Sequence, residues 1–304
     1  MKRGFYYHGY LSLICAIVTD NQSIRGKSVS VLGSGLPEVN DPRWVGLIDA
    51  EQTGWYLNKT DELFRGFPIT ADDNVLDVGC GPGHATIFCA TRGAHVTFTD
   101  VVPESIAELE AKVRELGSAR GFKGIVSDSD PLMVPDAEAT RVVCQEVLEH
   151  VEDPDRVLAE LVRAGQPGAL YLLTVPGERG EKVQQTFAPS MYFEHPNHIR
   201  IFSQEDFLSL VERSGLELIS YTPYGFYWFF GMCMHWAIQA AKGEDFESQP
   251  FAVYASITPP FDPSLQSWAT LWRRLITTPE GQALKRELDV ILPKSQVILA
   301  RKPQ

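Results

Sequence analysis

Short apolar segments recur through the middle of the chain, and polar or turn-forming residues separate them. These segments are Val75–Val78, His95–Asp100, Gly124–Ser127, Arg141–Gln145 and Ala169–Pro176. They are mostly continuous rather than alternating, a pattern that is typical of parallel strands buried on both faces. Leu216–Tyr221 and Gln296–Ala300 add two further predicted strands.

Helical patterns lie between several of these strands. Pro103–Leu116 carries one apolar stripe, and Gly117 follows it where a helix would end. Asp153 and Pro154 have the residue types that begin a helix, here one that runs to about Ala164. Strands that alternate with helices over short connections predict an α/β fold with a doubly wound, Rossmann-like parallel sheet.

The segments outside this pattern define the predicted domain organisation. Residues 1–41 are predicted to form an N-terminal arm, and residues 42–304 one domain in which Pro42–Phe67 lays helices over a cleft. Residues 224–294 are predicted to form an insertion before the last strand, with the role of a lid, an oligomer contact or a substrate element. Within it, residues 224–241 carry no formal charge, but two glycines and two polar side chains argue against a membrane span. A buried helix, a dimer face and an apolar pocket remain open.

The composition narrows the range of partners. The 304 residues carry 27 basic and 39 acidic side chains, which gives a formal net charge of −12. This balance argues against a broad phosphate-binding face, and therefore against nucleic acid as the partner. Five cysteines fit a reducing compartment, so we expect a cytoplasmic location. Contact with a membrane surface and a homodimer both remain open.

A glycine-rich turn follows the first of the apolar segments. Residues Asp77–Gly83 read Asp-Val-Gly-Cys-Gly-Pro-Gly, with an acid at the strand end. Glycine lets the backbone turn sharply and approach a ligand, and the helix that follows directs free N–H groups to the same place. The dinucleotide fingerprint has its third glycine where this chain has His84, and no Gly-Lys-Ser/Thr follows. Both an NAD site and a P-loop are therefore disfavoured.

This string, in its strand–helix context, resembles motif I of the class I S-adenosylmethionine (SAM) methyltransferases. The resemblance covers roughly Asn74–Tyr221 and Gln296–Ala300. It implies SAM as the cofactor and a seven-stranded sheet whose last strand lies antiparallel beside the sixth. In that family the acid and the glycine turn hold the methionine end of SAM.

The resemblance also implies a set of cofactor-binding residues. Asp100 lies 17 residues beyond Gly83, where a carboxylate can accept both hydroxyl protons of a ribose. Asp128 corresponds to the acid beside the adenine amino group, and Ser129 to the neighbour that acts through its backbone. The full set is Asp77, Gly79, Cys80, Gly81, Gly83, Asp100, Val101, Asp128, Ser129 and Gln145.

Polar residues also follow the fourth strand, at the sheet edge where ligands of open α/β sheets bind. Transfer from SAM needs a nucleophile aligned in line at about 3 Å and, for a hydroxyl, an acceptor for its proton. His150, His198 and Glu146 are the candidate catalytic residues, the two histidines because histidine titrates near neutral pH. We therefore expect methyl transfer to a small-molecule or glycan acceptor, most simply at oxygen.

Glu146, Glu149 and His150 share one face if the backbone turns helically, and His198 could approach from the later loop. Such a set could hold Mg²⁺, Mn²⁺ or Zn²⁺. The string Glu-Val-Leu-Glu-His also resembles the metal-binding motif of small-RNA 3′-terminal 2′-O-methyltransferases and of some ubiquinone-pathway O-methyltransferases. Class I methyltransferases with no known metal carry similar strings. An RNA 2′-O-methyltransferase with a divalent metal and a SAM-binding protein without transfer activity therefore remain as alternatives.

Overall fold

The computed structural model describes residues 41–243 and 257–304, so residues 1–40 of the predicted N-terminal arm lie outside the described residues. The first helix, α1, covers Pro42–Thr53, and the chain then forms an antiparallel meander of β1 (Trp55–Leu57), β2 (Glu62–Phe64) and β3 (Phe67–Pro68). The prediction of helices through Phe67 is therefore wrong beyond α1. Gly54, with φ +125°, ends the helix. Trp55 and Phe64, which lie within the range predicted to be helical, are instead partners across β1 and β2.

Seven further strands form the central sheet. They are β4 (Asn74–Val78), β5 (His95–Asp100), β6 (Gly121–Val126), β7 (Ala139–Gln145), β8 (Gly165–Pro176), β9 (Glu217–Tyr224) and β10 (Ser295–Arg301). Their order across the sheet is β6-β5-β4-β7-β8-β10-β9, and the first five are parallel. β10 lies antiparallel between β8 and β9. The predicted doubly wound sheet with an antiparallel last strand is confirmed.

Helices connect the strands and cover the sheet. After α1 these are α2 (His84–Ala90), α3 (Pro103–Leu116), α4 (Pro154–Ala164), α5 (Glu178–Gln184), α6 (Gln204–Arg213), α7 (Phe226–Ala241), α8 (Pro263–Leu275) and α9 (Pro279–Ile291). The Asp153 side chain accepts from the Arg156 N–H at the start of α4, and Gly117 ends α3 with φ +63°. Both predicted helix boundaries are confirmed.

Alternate residues of the central strands enter two separate hydrophobic cores. In β10, Val297 and Leu299 belong to the core on one side of the sheet, and Ile298 belongs to the core on the other. Leu172 and Leu173 of β8 divide in the same way. Successive side chains of a strand point to opposite faces. Because both faces are covered, each of these strands is apolar at consecutive positions.

The segment between β8 and α6 is more regular than the sequence predicts. The segment that carries His198 is predicted to be a loop, but the chain forms α5 and a one-turn 3₁₀ helix at Ser190–Phe193. The polar sequence of α5, Glu-Arg-Gly-Glu-Lys-Val-Gln, shows little apolar periodicity. Its helical character was therefore not visible in the pattern of hydrophobic residues.

In the described part of residues 224–294, α7, α8 and α9 pack against α1. A buried polar network joins them, in which the Lys285 ammonium donates to Asp289 Oδ2 at 2.5 Å and to Thr53 Oγ1 at 2.9 Å. Asp49 Oδ2 lies 3.4 Å from the same ammonium, and Asp49 Oδ1 accepts from Trp272 Nε1 at 2.8 Å. Tight pairing of this kind is required because an unpaired buried charge is strongly destabilising.

Helix α7 contains the uncharged aromatic segment singled out in the sequence. Its buried side chains include Tyr227, Phe229 and Trp236, which agrees with the prediction of a buried helix. Tyr227 also donates from its hydroxyl to the Pro42 carbonyl at 2.8 Å. Among residues 41–243 and 257–304, no helix is both long enough and apolar enough to cross a membrane.

Candidate active site

The glycine turn follows the carboxyl end of β4, and its backbone has a conformation that only glycine adopts easily. Gly79, Gly81 and Gly83 have φ values of +68°, +47° and +86°. A Cβ atom at Gly79 would overlap the side chain of Val147, and one at Gly83 would overlap that of Leu109. Both the backbone conformation and the available space therefore require glycine at these positions.

Asp77 connects the end of β4 to helix α2. Its Oδ2 accepts from the Thr86 N–H at 3.1 Å and from the Thr86 hydroxyl at 2.6 Å. The side chain is buried, and burial raises the pKa of Asp77 to about 6, against the opposing effect of these hydrogen bonds. These hydrogen bonds from Thr86 to Asp77 therefore hold the glycine turn in place.

Asp100 faces the glycine turn from the end of β5. Its Oδ2 accepts from the Gly81 N–H and its Oδ1 from the Val102 N–H, both at 2.9 Å. The following residue, Val101, is 64% exposed and forms an apolar surface beside the carboxylate. The sequence-predicted Asp100 and glycine residues therefore lie together at the edge of the sheet.

The other predicted cofactor residues lie along the same edge. Asp128 is exposed, while Ser129 is buried and has φ +72°. The Ser129 N–H donates to Ser127 Oγ at 3.0 Å, so this amide already has a partner. Cys80 is buried in the glycine turn, and Gln145 is the half-buried last residue of β7.

Glu146 begins a turn rather than a helix. Its φ is +53°, an uncommon conformation for a residue other than glycine. The Thr174 hydroxyl donates to Glu146 Oε1 at 3.0 Å, and Lys294 Nζ lies 3.7 Å from Glu146 Oε2. Glu146 and His150 therefore do not lie on one face of a helix, contrary to the expectation from the sequence.

Glu149 is completely buried and close to His150. No hydrogen-bond partner for either carboxylate oxygen occurs in the described residues, and His150 Nε2 lies 3.7 Å from Oε1. Burial and the neighbouring Glu146 raise the pKa of Glu149 well above its ordinary value. His150 Nδ1 lies 3.3 Å from the Pro196 carbonyl oxygen, which can only accept, so this nitrogen carries the hydrogen.

His198 forms a close pair with a residue that the sequence did not single out, Glu181. Nδ1 of His198 lies 2.5 Å from Glu181 Oε1, and both side chains are buried. Burial lowers the pKa of His198 to about 3 and raises the pKa of Glu181 to about 7. Each shift disfavours the charged form of its group. The contact uses Nδ1 and leaves Nε2 for another partner.

Lys294, also missed in the sequence, is the cation of this cluster. Burial opposes its charge, but Tyr192 and the surrounding carboxylates, including Glu146 and Glu181, outweigh this effect and raise the pKa of Lys294. In the sequence, only its position directly after Pro293 and just before the last strand could have pointed to Lys294. Glu181 could not be singled out in the sequence because several other charged residues lie beside it in α5.

Three of the four predicted metal ligands come together. Glu149, His150 and His198 each offer one ligand atom, and these atoms lie within 4.8 Å of one another. Two imidazoles and a carboxylate suit several divalent metals, and the Glu181 contact at His198 Nδ1 is of the kind that orients a ligating histidine. Glu146 lies outside this group, because its carboxylate contacts Thr174 and Lys294.

The sheet order, the antiparallel β10 and the glycine turn beside Asp100 define the fold of the class I methyltransferases. A family model described as "Methyltransferase domain" matches residues 56–221, which is more than half of the chain. The protein belongs to this methyltransferase family, as the sequence motif predicted.

Individual relatives cover smaller parts of the chain. The ubiquinone biosynthesis O-methyltransferase of Aeromonas salmonicida is 32% identical over 131 residues, which cover 42% of this chain and 51% of that protein. A probable SAM-dependent methyltransferase of Mycolicibacterium smegmatis is 26% identical over 64% of this chain and 70% of that protein. The chain thus spans about half the length of the first of these relatives.

A solved structure supports the fold. Phosphoethanolamine N-methyltransferase 2 of Haemonchus contortus, in complex with SAM, superposes with a TM-score of 0.53 at 17% identity. The match covers 82% of this chain and 53% of that one. At this level of identity the likeness concerns the fold alone.

Proposed function

We propose that the protein transfers the methyl group of SAM to a hydroxyl oxygen of a small-molecule or glycan acceptor. The observation that carries this proposal is the buried contact between His198 and Glu181 at the carboxyl end of the sheet. The name of the Aeromonas relative, an O-methyltransferase, supports transfer to oxygen. The net charge of −12 favours a small acceptor over a nucleic acid.

The proposed cofactor site is the edge formed by the glycine turn, Asp100 and Asp128. When bound there, SAM supplies a methyl group on a positively charged sulfur. Asp100 would accept from the ribose hydroxyls in place of its present bonds to backbone N–H groups. The contribution we propose for Asp77 is indirect, since it holds the turn through Thr86.

His198 is the proposed general base, and the Glu181 carboxylate must offset the low basicity that burial gives the imidazole. Glu181 accepts from Nδ1–H, which orients the ring and leaves the Nε2 lone pair for the acceptor hydroxyl. As the oxygen–carbon bond forms, the carbon–sulfur bond breaks and its electron pair remains on sulfur, giving S-adenosylhomocysteine (SAH). The hydroxyl proton moves to Nε2, where the neighbouring carboxylate stabilises the imidazolium.

The test separates cofactor binding from transfer. In His198→Gln and Glu181→Gln, we expect SAH affinity by calorimetry to stay close to that of the wild type. Turnover of SAM with a panel of phenols and sugars should fall about 100-fold or more. Glu178→Gln, a half-buried residue one turn earlier on α5, is the matched control and should retain turnover. Full activity of His198→Gln would exclude the proposed base.

The same assay addresses a protein that binds SAM without using it. Such a protein would bind SAH with unaltered affinity but transfer no methyl group to any acceptor of the panel. The position of the new methyl group, read by NMR of the product, distinguishes transfer to oxygen from transfer to nitrogen or carbon.

A second candidate function is RNA 2′-O-methylation with a divalent metal. The observation in its favour is the group formed by Glu149, His150 and His198. A bound metal would polarise the acceptor hydroxyl, and these three residues would hold it. Metal analysis of protein purified without added ions, together with RNA binding at several salt concentrations, tests this function. Metal-free protein that is fully active on a small acceptor would exclude it.

A further inference from the structure

Three fully buried side chains near the proposed base have polar atoms without hydrogen-bond partners in the described residues. They are both oxygens of Glu149, Oε2 of Glu181 and both amide atoms of Gln184. Gln184 lies one turn after Glu181 on α5. In folded proteins nearly all buried polar groups are paired, so a cluster of unpaired ones indicates a missing ligand. Four of these five atoms are oxygens, and a ligand that donates hydrogen bonds would satisfy them.

The charges of the cluster favour a cation as this ligand. Glu146, Glu149 and Glu181 all act on the Lys294 ammonium and raise its pKa. Lys294 lies 3.7 Å from the Glu146 carboxylate, and this contact partly neutralises both groups. Neither oxygen of Glu149 has a hydrogen-bond partner in the described residues, and His150 Nε2 lies 3.7 Å from its Oε1. A buried carboxylate needs an opposite charge close by to be stable, and a bound ammonium would supply it.

An aromatic surface lies beside these carboxylates. The ring centroid of Tyr192 is 4.5 Å from that of His198 and 5.2 Å from that of Trp236. Phe193 packs edge-on against Tyr192 at 5.0 Å. Aromatic faces attract organic ammonium groups through their quadrupole and add apolar contacts for the attached carbon atoms. A strongly hydrated inorganic anion would gain nothing from this surface.

We infer that the acceptor is an amino alcohol or aminoalkylphenol whose ammonium group binds Glu149 while its hydroxyl lies at His198. This inference deepens the proposed function and rests on it. The Glu149 oxygens accept from the ammonium, the aromatic surface covers its carbon chain, and the hydroxyl receives the methyl group. Acceptors that carry a carboxylate or phosphate at the same place are repelled by Glu146 and Glu149.

The experiment compares three probes of nearly equal shape on SAH-saturated protein. Tyramine carries an ammonium group, 4-ethylphenol is neutral, and 3-(4-hydroxyphenyl)propionate is an anion. Ligand-observed NMR titration should show tyramine binding at least about tenfold more tightly than the other two. Glu149→Gln should remove this preference, whereas Glu152→Gln, an exposed acid three residues further on, should preserve it.

Three results with the organic probes would overturn the inference. These are equal or tighter binding of the neutral or anionic probe, absence of tyramine binding up to millimolar concentration, and an unchanged preference in Glu149→Gln. Binding of Mg²⁺, Mn²⁺ or Zn²⁺ alone that depends on Glu149 and excludes tyramine would also overturn it, by assigning the pocket to a metal. SAH binding in the same samples distinguishes the two proposals. Its loss contradicts the proposed function, whereas intact SAH binding without an ammonium preference contradicts only the acceptor class.

Discussion

Gly180 lies directly against the carbonyl oxygen of Pro293, and no side chain fits between them. A Cβ atom at Gly180 would overlap this oxygen, and one at Gly177 would lie only 2.7 Å from it. The two glycines bring α5 close to the segment that carries Lys294. As a result, Glu181 and Lys294 interact strongly enough to shift each other's pKa.

Gly180→Ala should therefore impair the site as well as the packing. The added methyl group pushes α5 away from Pro293, and we expect the free energy of unfolding to fall by about 1–3 kcal/mol. Because Glu181 moves with the helix, turnover should fall about tenfold or more even where the variant is fully folded. Urea unfolding and kcat, measured at the same temperature, separate the two effects.

Val183→Ala is the matched control for this helix. Val183 is 37% exposed on α5, so its truncation changes helix propensity and surface without touching Pro293. A Gly180→Ala variant with the same kcat as Val183→Ala would show that the position of α5 does not matter for transfer.

The fold was largely predictable because its determinants are local and repeated. Burial of the sheet on both faces imposes continuous apolar segments, and β5 and α3 have the predicted boundaries. The meander after α1 was not predictable in the same way. Aromatic residues such as Trp55 favour strands as well as buried helix faces, so their spacing alone did not decide between the two.

The candidate site was only partly predictable, because packing between distant segments creates it. His198 could be selected by its residue type, but its partner Glu181 lies 17 positions away on a helix with no clear pattern. Lys294 reaches the cluster from the other end of the insertion. The left-handed backbone of Glu146, which turns its carboxylate toward Thr174, does not follow from the residue type.

Asp100→Asn should weaken cofactor binding. An amide keeps one acceptor oxygen but replaces the other with a donor, so it can no longer accept both hydroxyl protons of a ribose. We expect the affinities for SAM and SAH to fall about tenfold or more, with calorimetry as the measurement. Asp72→Asn, an exposed acid outside the site, should bind both as the wild type does. Equal affinities in the two variants would contradict the assignment of Asp100.

Thr86→Val tests whether Asp77 acts through the turn. The substitution keeps the shape of the side chain but removes the hydroxyl that donates to Asp77 Oδ2 at 2.6 Å. A buried carboxylate that loses a donor is destabilised, so we expect the free energy of unfolding to fall by about 1–3 kcal/mol. Ser127→Ala, which removes a hydroxyl from a half-buried residue, is the comparison. A Thr86→Val variant as stable as the wild type would show that the hydrogen bond from the Thr86 hydroxyl to Asp77 does not contribute to stability.

The buried Asp49 should make stability depend on pH with a defined sign. Burial raises the pKa of Asp49 from 3.8 to about 6, although Lys285 opposes this effect. The folded chain then binds this proton more tightly than the unfolded chain, so the contribution to stability is complete below about pH 4 and disappears as the pH rises through 6. Over this range the free energy of unfolding should fall by up to about 3 kcal/mol through Asp49.

Asp49→Asn cannot titrate, so the stability advantage of the wild type over this variant should shrink as the pH rises from about 4 to 7. Urea unfolding at intermediate pH values measures the difference, with Asp72→Asn as the exposed control. An advantage that grows with pH would mean that the Lys285 ammonium dominates over burial and that Asp49 is ionised in the folded protein.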